Sequence, residues 1–480
     1  MSSIEQVVGP AGGVRQTGMT GRQRLALALL LTASFTLAVD FSVLNVALPT
    51  IGRDVGFALQ NLQWVATAFA LCAAGFTLLF GRIADLFGRR RLFVAGMALL
   101  GAASLVGGLS LSPAMLLVAR VCQGIATAAV TPAALSLLTT TFEEGPARDR
   151  ALGLNGSLMA AGFTTGAILG GVLTDLLSWR WAFFINVPVA VFAVLTARVV
   201  LAESRPERRP RLDLPGAVTV TAGLLAVIYG ITTAGVTSWI DPAVLGALAV
   251  GVVLLVTFWL IEQRVAAPLL PVAILRRRSV GWGNAAGLFA FLTETSLVFL
   301  LTLYLQKVLG YSPLTAGLSF AVLGVGTVLG GLVGPKLIGR LNNKRTLVVG
   351  FLVQAVATGS LVLLGPSPAW IALLLVATFV GGVANLVAIV GFMVTATSGL
   401  PNEEQGLATG MTTMSQQIGI TVGIPIMSAI ATARVHALGG ENAHTVLSGV
   451  STAIVVNAAL CVVSALALAA FLRPSAGPTS

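Results

Sequence analysis

Apolar runs of about twenty residues, the length needed to cross a bilayer as a helix, follow one another along this chain with short polar breaks between them. Fourteen such runs stand out, at roughly 25–49, 61–80, 92–111, 113–139, 151–175, 180–201, 214–235, 242–262, 280–306, 313–335, 346–365, 369–398, 406–432 and 446–472. Turn formers separate several of them: Ser112-Pro113, Asp241-Pro242 and Gly365-Pro366-Ser367-Pro368. The predicted fold class is therefore an all-α membrane protein with fourteen transmembrane helices.

Charge tests the count, because Lys and Arg collect in cytoplasmic loops. With the N-terminus placed inside and the runs alternating, 23 of the 28 Lys and Arg fall in cytoplasmic segments, and four (Arg53, Arg180, Lys307 and Arg434) fall outside. The remaining one, Arg120, lies within a run. A missed or invented helix would scramble this split, so both termini are expected in the cytoplasm. A faint repeat runs through the same loops. Arg91-Leu92-Phe93-Val94-Ala95-Gly96 reappears as Arg345-Thr346-Leu347-Val348-Val349-Gly350, 254 residues on. The offset suggests two six-helix halves with two helices inserted between them, an organisation found in transporters. The expected division is a tail (1–24), a first bundle (25–201), a loop (202–213), the inserted pair (214–262), a loop (263–279), a second bundle (280–472) and a tail (473–480).

Composition agrees with the pattern. Of the 480 residues 56% are hydrophobic and only 9% charged, against about 25% charged in soluble proteins. A soluble surface cannot be solvated so sparsely, whereas lipid covers a membrane protein. The net charge of +11 is scattered over short loops and does not form a nucleic-acid surface. Cys72, Cys122 and Cys461 sit in apolar stretches without metal-ligand spacing and read as small buried hydrophobes. No cofactor or metal is implied. Neither a nucleophile beside a base nor a phosphate loop marks an enzyme or an ATP motor.

Three charges lie deep in the runs: Asp40, Arg120 and Glu294. Each is costly in a bilayer, about 2.5–3.5 kcal/mol on insertion scales, and so calls for a reason. Asp40 precedes Pro49, and Arg120 follows Pro113, at similar depths, roughly 13 and 10 Å by helical rise, so the two can pair. Apolar surroundings favour the neutral form of a carboxyl, which a group ferrying protons through a membrane needs. The three are read as proton-coupling residues lining a polar cavity; the alternative is that they only hold helices together.

The loop after the second run reads Gly81-Arg82-Ile83-Ala84-Asp85-Leu86-Phe87-Gly88-Arg89-Arg90-Arg91. Orientation alone explains the arginines but not Asp85 or the glycines, which permit a tight turn and close helix approach. Such a cluster can latch one conformation and release another. This loop resembles the signature between helices 2 and 3 of the major facilitator superfamily. Asp40-Phe41-Ser42-Val43-Leu44-Asn45-Val46-Ala47-Leu48-Pro49, Arg120-Val121-Cys122-Gln123-Gly124 and Trp179 to Pro188 resemble motifs of its fourteen-helix drug:proton antiporter branch. So does the turn from Tyr304 to Pro313. One position departs: the helix 5 stripe Gly162, Gly166, Gly170, Gly171 keeps its glycines, but Ala167 stands where the branch's motif has proline.

The resemblance implies a major-facilitator fold of two six-helix bundles plus two inserted helices. It gives Asp40 and Arg120 a part in proton coupling, and Gly81, Asp85, Gly88, Arg89 and Arg90 the gating latch. Glu294 matches no motif and rests on its depth. Asn45, Gln63, Trp64, Gln123, Asn155, Asn284, Gln354, Asn385 and Gln416 are candidates to line a substrate cavity, helix–helix hydrogen bonding being the other reading for each. The glycine stripe implies close packing of helix 5. The function expected is a proton-coupled antiporter, monomeric, in a bacterial cytoplasmic membrane, exporting hydrophobic or cationic small molecules such as antibiotics. A same-fold carrier of a nutrient, siderophore or lipid, and a non-transporting receptor, are the alternatives.

Overall fold

The computed structural model describes residues 19–57, 59–142, 146–203, 213–234, 237–265, 268, 277–397 and 402–472, with only the backbone at some helix positions. The loops expected at 202–213 and 263–279, and both tails, lie largely outside the described residues.

Every described element is helical. The first half contains α1 (Gly21–Val55), α2 (Leu59–Phe87), α3 (Arg89–Gly108), α4 (Pro113–Thr141), α5 (Pro146–Leu176) and α6 (Trp181–Val200, interrupted at Ile185). Then come α7 (Leu214–Ala234) and α8 (Pro242–Glu262). The second half contains α9 (Arg278–Leu303, extended by a π-helical turn, Tyr304–Val308), α10 (Pro313–Leu341), α11 (Asn343–Ser360), α12 (Ile371–Thr397), α13 (Asn402–Ala437) and α14 (Ala443–Phe471). Among the described residues twelve helices are long and apolar enough to cross a membrane; α2 and α5 are outside that twelve. Apolar side chains such as Leu195, Val199, Leu332, Val356 and Leu466 stand exposed around the bundle, as lipid-facing positions do.

The turn formers act as helix starts. Ser112, Asp241 and Ser312 each accept a backbone N–H of the first turn, with proline as the first helical residue. A missing N–H costs nothing at that position, and the polar cap satisfies a free donor. Thr20 and Gln23 form a reciprocal capping box at the start of α1. Pro49 does not end α1 as the apolar run suggests. The helix continues to Val55, and beside the proline Gln306 Nε2 donates to the Val46 carbonyl at 2.6 Å. Neighbouring helices packed around it let proline persist within spanning helices.

Packing repeats with an interval of eight helices. In the first half α1 lies on α5, α4 on α2 and α3, and α3 on α6; in the second, α9 lies on α13, α12 on α10 and α11, and α11 on α14. The halves meet along α5–α10 and α2–α13, and the α7–α8 hairpin docks its α7 on α2 and α13. One apolar cluster joins both halves at the end of the bundle away from the start of α1; it includes Val46, Leu48, Phe183, Phe299, Tyr304 and Met427. Two other clusters stay within one half each, around Phe93, Val130 and Leu137 and around Phe351, Phe392 and Leu468, while a smaller one joins Ala217 and Phe258 of the hairpin to Leu79 of α2 and Met411 of α13.

Candidate functional site

α1 and α5 approach closely because Gly162, Gly166 and Gly170 repeat every fourth residue and face Phe35, Val39 and Val43, which do the same. A Cβ at Gly162 would stand 2.8 Å from the Phe35 carbonyl, one at Gly166 2.7 Å from that of Val39, and one at Gly170 would fall on that of Val43. Gly171 faces across to α10, where its Cβ would stand 3.1 Å from the Gly317 Cα. Ala167 belongs to the same crossing, its carbonyl 3.0 Å from where a Gly317 Cβ would lie. α5 carries no proline between Pro146 and its end, so the commonest cause of a kink is missing from it.

Asp40 follows Val39, about 100° further round α1, and so turns from α5 toward α4 and α6. It is fully buried, and so are Arg120, Gln123, Asn186 and Ser104 around it. Arg120 Nη1 donates to Asp40 Oδ2 at 3.3 Å and to Gln123 Oε1 at 2.9 Å. Arg120 Nε donates to the Val65 carbonyl of α2 at 2.9 Å, and the guanidinium stacks 4.2 Å from the centre of the Phe69 ring. Gln123 Nε2 reaches Asp40 Oδ1 at 3.0 Å and Ser104 Oγ at 2.9 Å. Asn186 Nδ2 donates to Asp40 Oδ1 and to Ser104 Oγ. Five helices thus converge on one ion pair.

The order of these contacts decides what the pair can do. Desolvating two charges costs several kcal/mol each, and attraction alone rarely recovers it. Here each partner also has neutral support that does not depend on the other: Arg120 a backbone carbonyl, an amide oxygen and a ring face, Asp40 two amide donors. The direct contact at 3.3 Å is longer than a tight charge-assisted bond, about 2.7–2.9 Å. Neutralising the carboxylate would release the pair without stripping Arg120 of partners.

Glu294, on α9, is not part of this cluster. It borders a separate small cavity, about 20 Å³, with Gln354, Thr358, Thr378 and Asn385. Gln354 and Asn385 are tied to α9 by hydrogen bonds to Thr293 Oγ1 and the Ala290 carbonyl, at 3.1 and 3.0 Å. The other cavity candidates scatter. Asn284 bonds the Val280 carbonyl and accepts from Ser415 of α13. Trp64 packs toward Tyr229 of α7, with ring centres 6.2 Å apart. Asn155 lies 3.8 Å from Met159 Sδ. Gln63 is buried and Gln416 half-buried. Asn45 is buried with neither amide atom bonded.

The basic loop is held by a residue that its motif does not contain. Gly88, at φ 107°, starts α3 without a side-chain cap of its own. Glu203, just beyond α6, supplies one: its Oε1 accepts from the Arg90 N–H at 3.2 Å, and its Oε2 lies 3.7 Å from Nε of both Arg90 and Arg91. A carboxylate is favoured at a helix N-terminus. Arg90 also donates to the Leu201 carbonyl at 3.2 Å. The backbone at this φ favours glycine, and a Cβ on Gly88, 2.5 Å from Glu203 Oε1, would push the Glu203 carboxylate aside. Gly81 lies on α2 facing Pro132 of α4, and Arg89 is half-buried. The Asp85 side chain lies outside what is described. Besides Glu203, the sequence reading passed over Asn186 and Ser104. Asn186 carries a usable signal, a lone amide in the apolar run 180–201; Ser104 carries none.

Three comparisons bear on this arrangement. Residues 30–424 match the family model described as Major Facilitator Superfamily. The chain is 38% identical over 419 residues to a puromycin resistance protein of Streptomyces alboniger, covering 86% of this chain and 83% of that one. It is also 38% identical over 431 residues to the cephamycin export protein CmcT of Amycolatopsis lactamdurans, covering 87% of each. Among solved structures, an auto-inhibited peptide transporter of the POT family shares the fold, with a TM-score of 0.68 at 15% identity over 95% of this chain and 99% of that one.

Proposed function

The chain belongs to the Major Facilitator Superfamily, and on that footing we propose that it is a proton-coupled antiporter exporting hydrophobic or cationic small molecules, antibiotics among them. The relatives named for puromycin resistance and cephamycin export support the direction of transport and the substrate class. The observation that carries the proton coupling is the fully buried Asp40–Arg120 pair, in which each partner keeps neutral contacts when the other lets go.

In this reading all fourteen long helices span a bacterial cytoplasmic membrane, both termini lie inside, and one chain is the working unit. The eightfold-interval packing supports two six-helix halves, 25–201 and 280–472, with the 214–262 hairpin as an addition on α2 and α13. The core that joins both halves at the far end, beside the clusters that stay within one half each, fits a carrier closed to the outside. A proton reaching Asp40 from outside neutralises it and weakens its hold on Arg120. Substrate release and return to the inward-open form follow, and loss of the proton inside restores the pair. Glu294 is the second carboxylate in the coupling path. The latch of Gly81, Asp85, Gly88, Arg89 and Arg90, fixed through Glu203, holds the inner loop in one of the two states. Each proton entering down a membrane potential brings about 2.3 kcal/mol per 100 mV, enough for uphill export.

Expression in a bacterial host lacking its own pumps tests the direction. Lower accumulation of a fluorescent cationic dye, and higher tolerance of puromycin-like compounds, are expected. Raised accumulation would mean an importer of the same fold.

A further inference from the structure

The second half contains a counterpart of the Asp40 pair without its cation. Glu294 stands 254 residues after Asp40, the offset that also relates Arg91 to Arg345, and it occupies α9 as Asp40 occupies α1. The partner helices align in the same way. Gly124 of α4 lies against the Phe69 carbonyl of α2, and Gly382 of α12 against the Leu323 carbonyl of α10. Four residues before Gly124 is Arg120; four residues before Gly382 is Thr378. A hydroxyl thus takes the place of the guanidinium, and none of the ion pairs among the described residues involves Glu294.

The cavity beside Glu294 is walled by the apolar side chains of Leu297, Val298, Leu301 and Leu323 and by a polar set, Gln354, Thr358, Thr378 and Asn385. Gln354 Nε2 donates to Thr293 Oγ1, and Asn385 Nδ2 to the Ala290 carbonyl and, at 3.4 Å, to Gln354 Oε1, which leaves the Asn385 oxygen as the free end of the amide pair. Asn385 Oδ1 and Thr358 Oγ1 are buried without a hydrogen-bond partner, in residues 2% and 1% exposed. Thr378 donates its hydroxyl hydrogen to the Leu374 carbonyl at 2.8 Å, so it too presents lone pairs. A carboxyl group and these polar side chains share with apolar ones the wall of a space of about 20 Å³, room for one water-sized guest.

The polar members of this lining suit a hard cation, which takes oxygen ligands, and the aliphatic ones keep bulk water from it. One carboxylate balances one positive charge; a divalent ion would leave a net charge in apolar surroundings, at high cost. The volume excludes an organic molecule. We propose that this cavity binds a sodium ion, held by Glu294, Gln354, Thr358, Thr378 and Asn385. The site stands on its own geometry; its consequence, that sodium and a proton compete for Glu294 in the coupling path, rests on the export reading above. The tip of a protonated amine carries the same charge, and the test separates the two.

Equilibrium binding of radiolabelled sodium to the purified full-length protein, without transport substrate, is the measurement. One saturable site per chain is expected, displaced by unlabelled sodium chloride and not by choline, and more weakly by methylammonium. Glu294→Gln should weaken binding by about tenfold or more, the loss of one charge-assisted contact. Thr358→Val, which keeps the shape and removes the unpartnered hydroxyl, should weaken it less. No saturable binding by the unaltered protein, binding unchanged by both substitutions, or displacement by methylammonium ahead of sodium would overturn the sodium site. Because no transport is read, these results leave the export reading untouched, and failure of export leaves the sodium site untouched.

Discussion

Everted vesicles carrying Asp40→Asn should lose proton-driven dye efflux, falling to the level of vesicles without the protein, while the protein remains folded and inserted. Asparagine keeps the shape of the side chain and one oxygen for Gln123 or Asn186, but it can neither carry a proton nor pair with Arg120. Removing one partner of a buried pair ordinarily costs about 3–5 kcal/mol. Arg120 still has the Val65 carbonyl, Gln123 Oε1 and the Phe69 ring, so the cost should fall at or below the low end of that range. Efflux of unchanged size, still abolished by a protonophore, would remove Asp40 from the coupling path.

Arg120→Ala should cost more stability than any other change at this site. It leaves the Asp40 carboxylate fully buried with only amide donors, and it empties the space over Phe69 between α2 and α4. A loss of about 3–5 kcal/mol follows from the uncompensated charge, read as a lower thermal midpoint of the purified protein in detergent. The double variant Asp40→Asn with Arg120→Gln removes both charges and should be more stable than Arg120→Ala alone. Two groups in one hydrogen-bonded network do not add. If the double variant loses the sum of the losses of Asp40→Asn and Arg120→Gln measured singly, the pair is not energetically coupled.

The helices could be read from the chain because a bilayer demands about twenty apolar residues per crossing and basic loops mark one side. Ser112-Pro113 and Asp241-Pro242 could be read as breaks between runs, and the structure makes them capped helix starts, because this chemistry is local in sequence. Asp40 and Arg120 declared themselves because charge inside an apolar run is expensive and needs explanation. What surrounds them did not. Ser104 looks like any small polar residue of a spanning helix, and only the packing of α3 on α4 and α6 brings it to Gln123 and Asn186. Glu203 lies 113 residues from Arg90, so the cap it gives α3 has no local signature. Pro49 reads as the end of α1, whereas the helix runs on to Val55; proline within a spanning helix is tolerated when neighbouring helices pack around it, and that packing has no local signature. Asn284 shows the reverse: an intramembrane amide that invites a binding role is engaged with Val280 and Ser415.

The most direct measurement is flux through the purified protein in liposomes with an imposed pH gradient and a fluorescent cationic dye. Dye should move against its own gradient while protons move down theirs, and the movement should stop when a protonophore collapses the gradient. Dye movement no faster than in protein-free liposomes, or equally fast with and without the gradient, would contradict proton-coupled export.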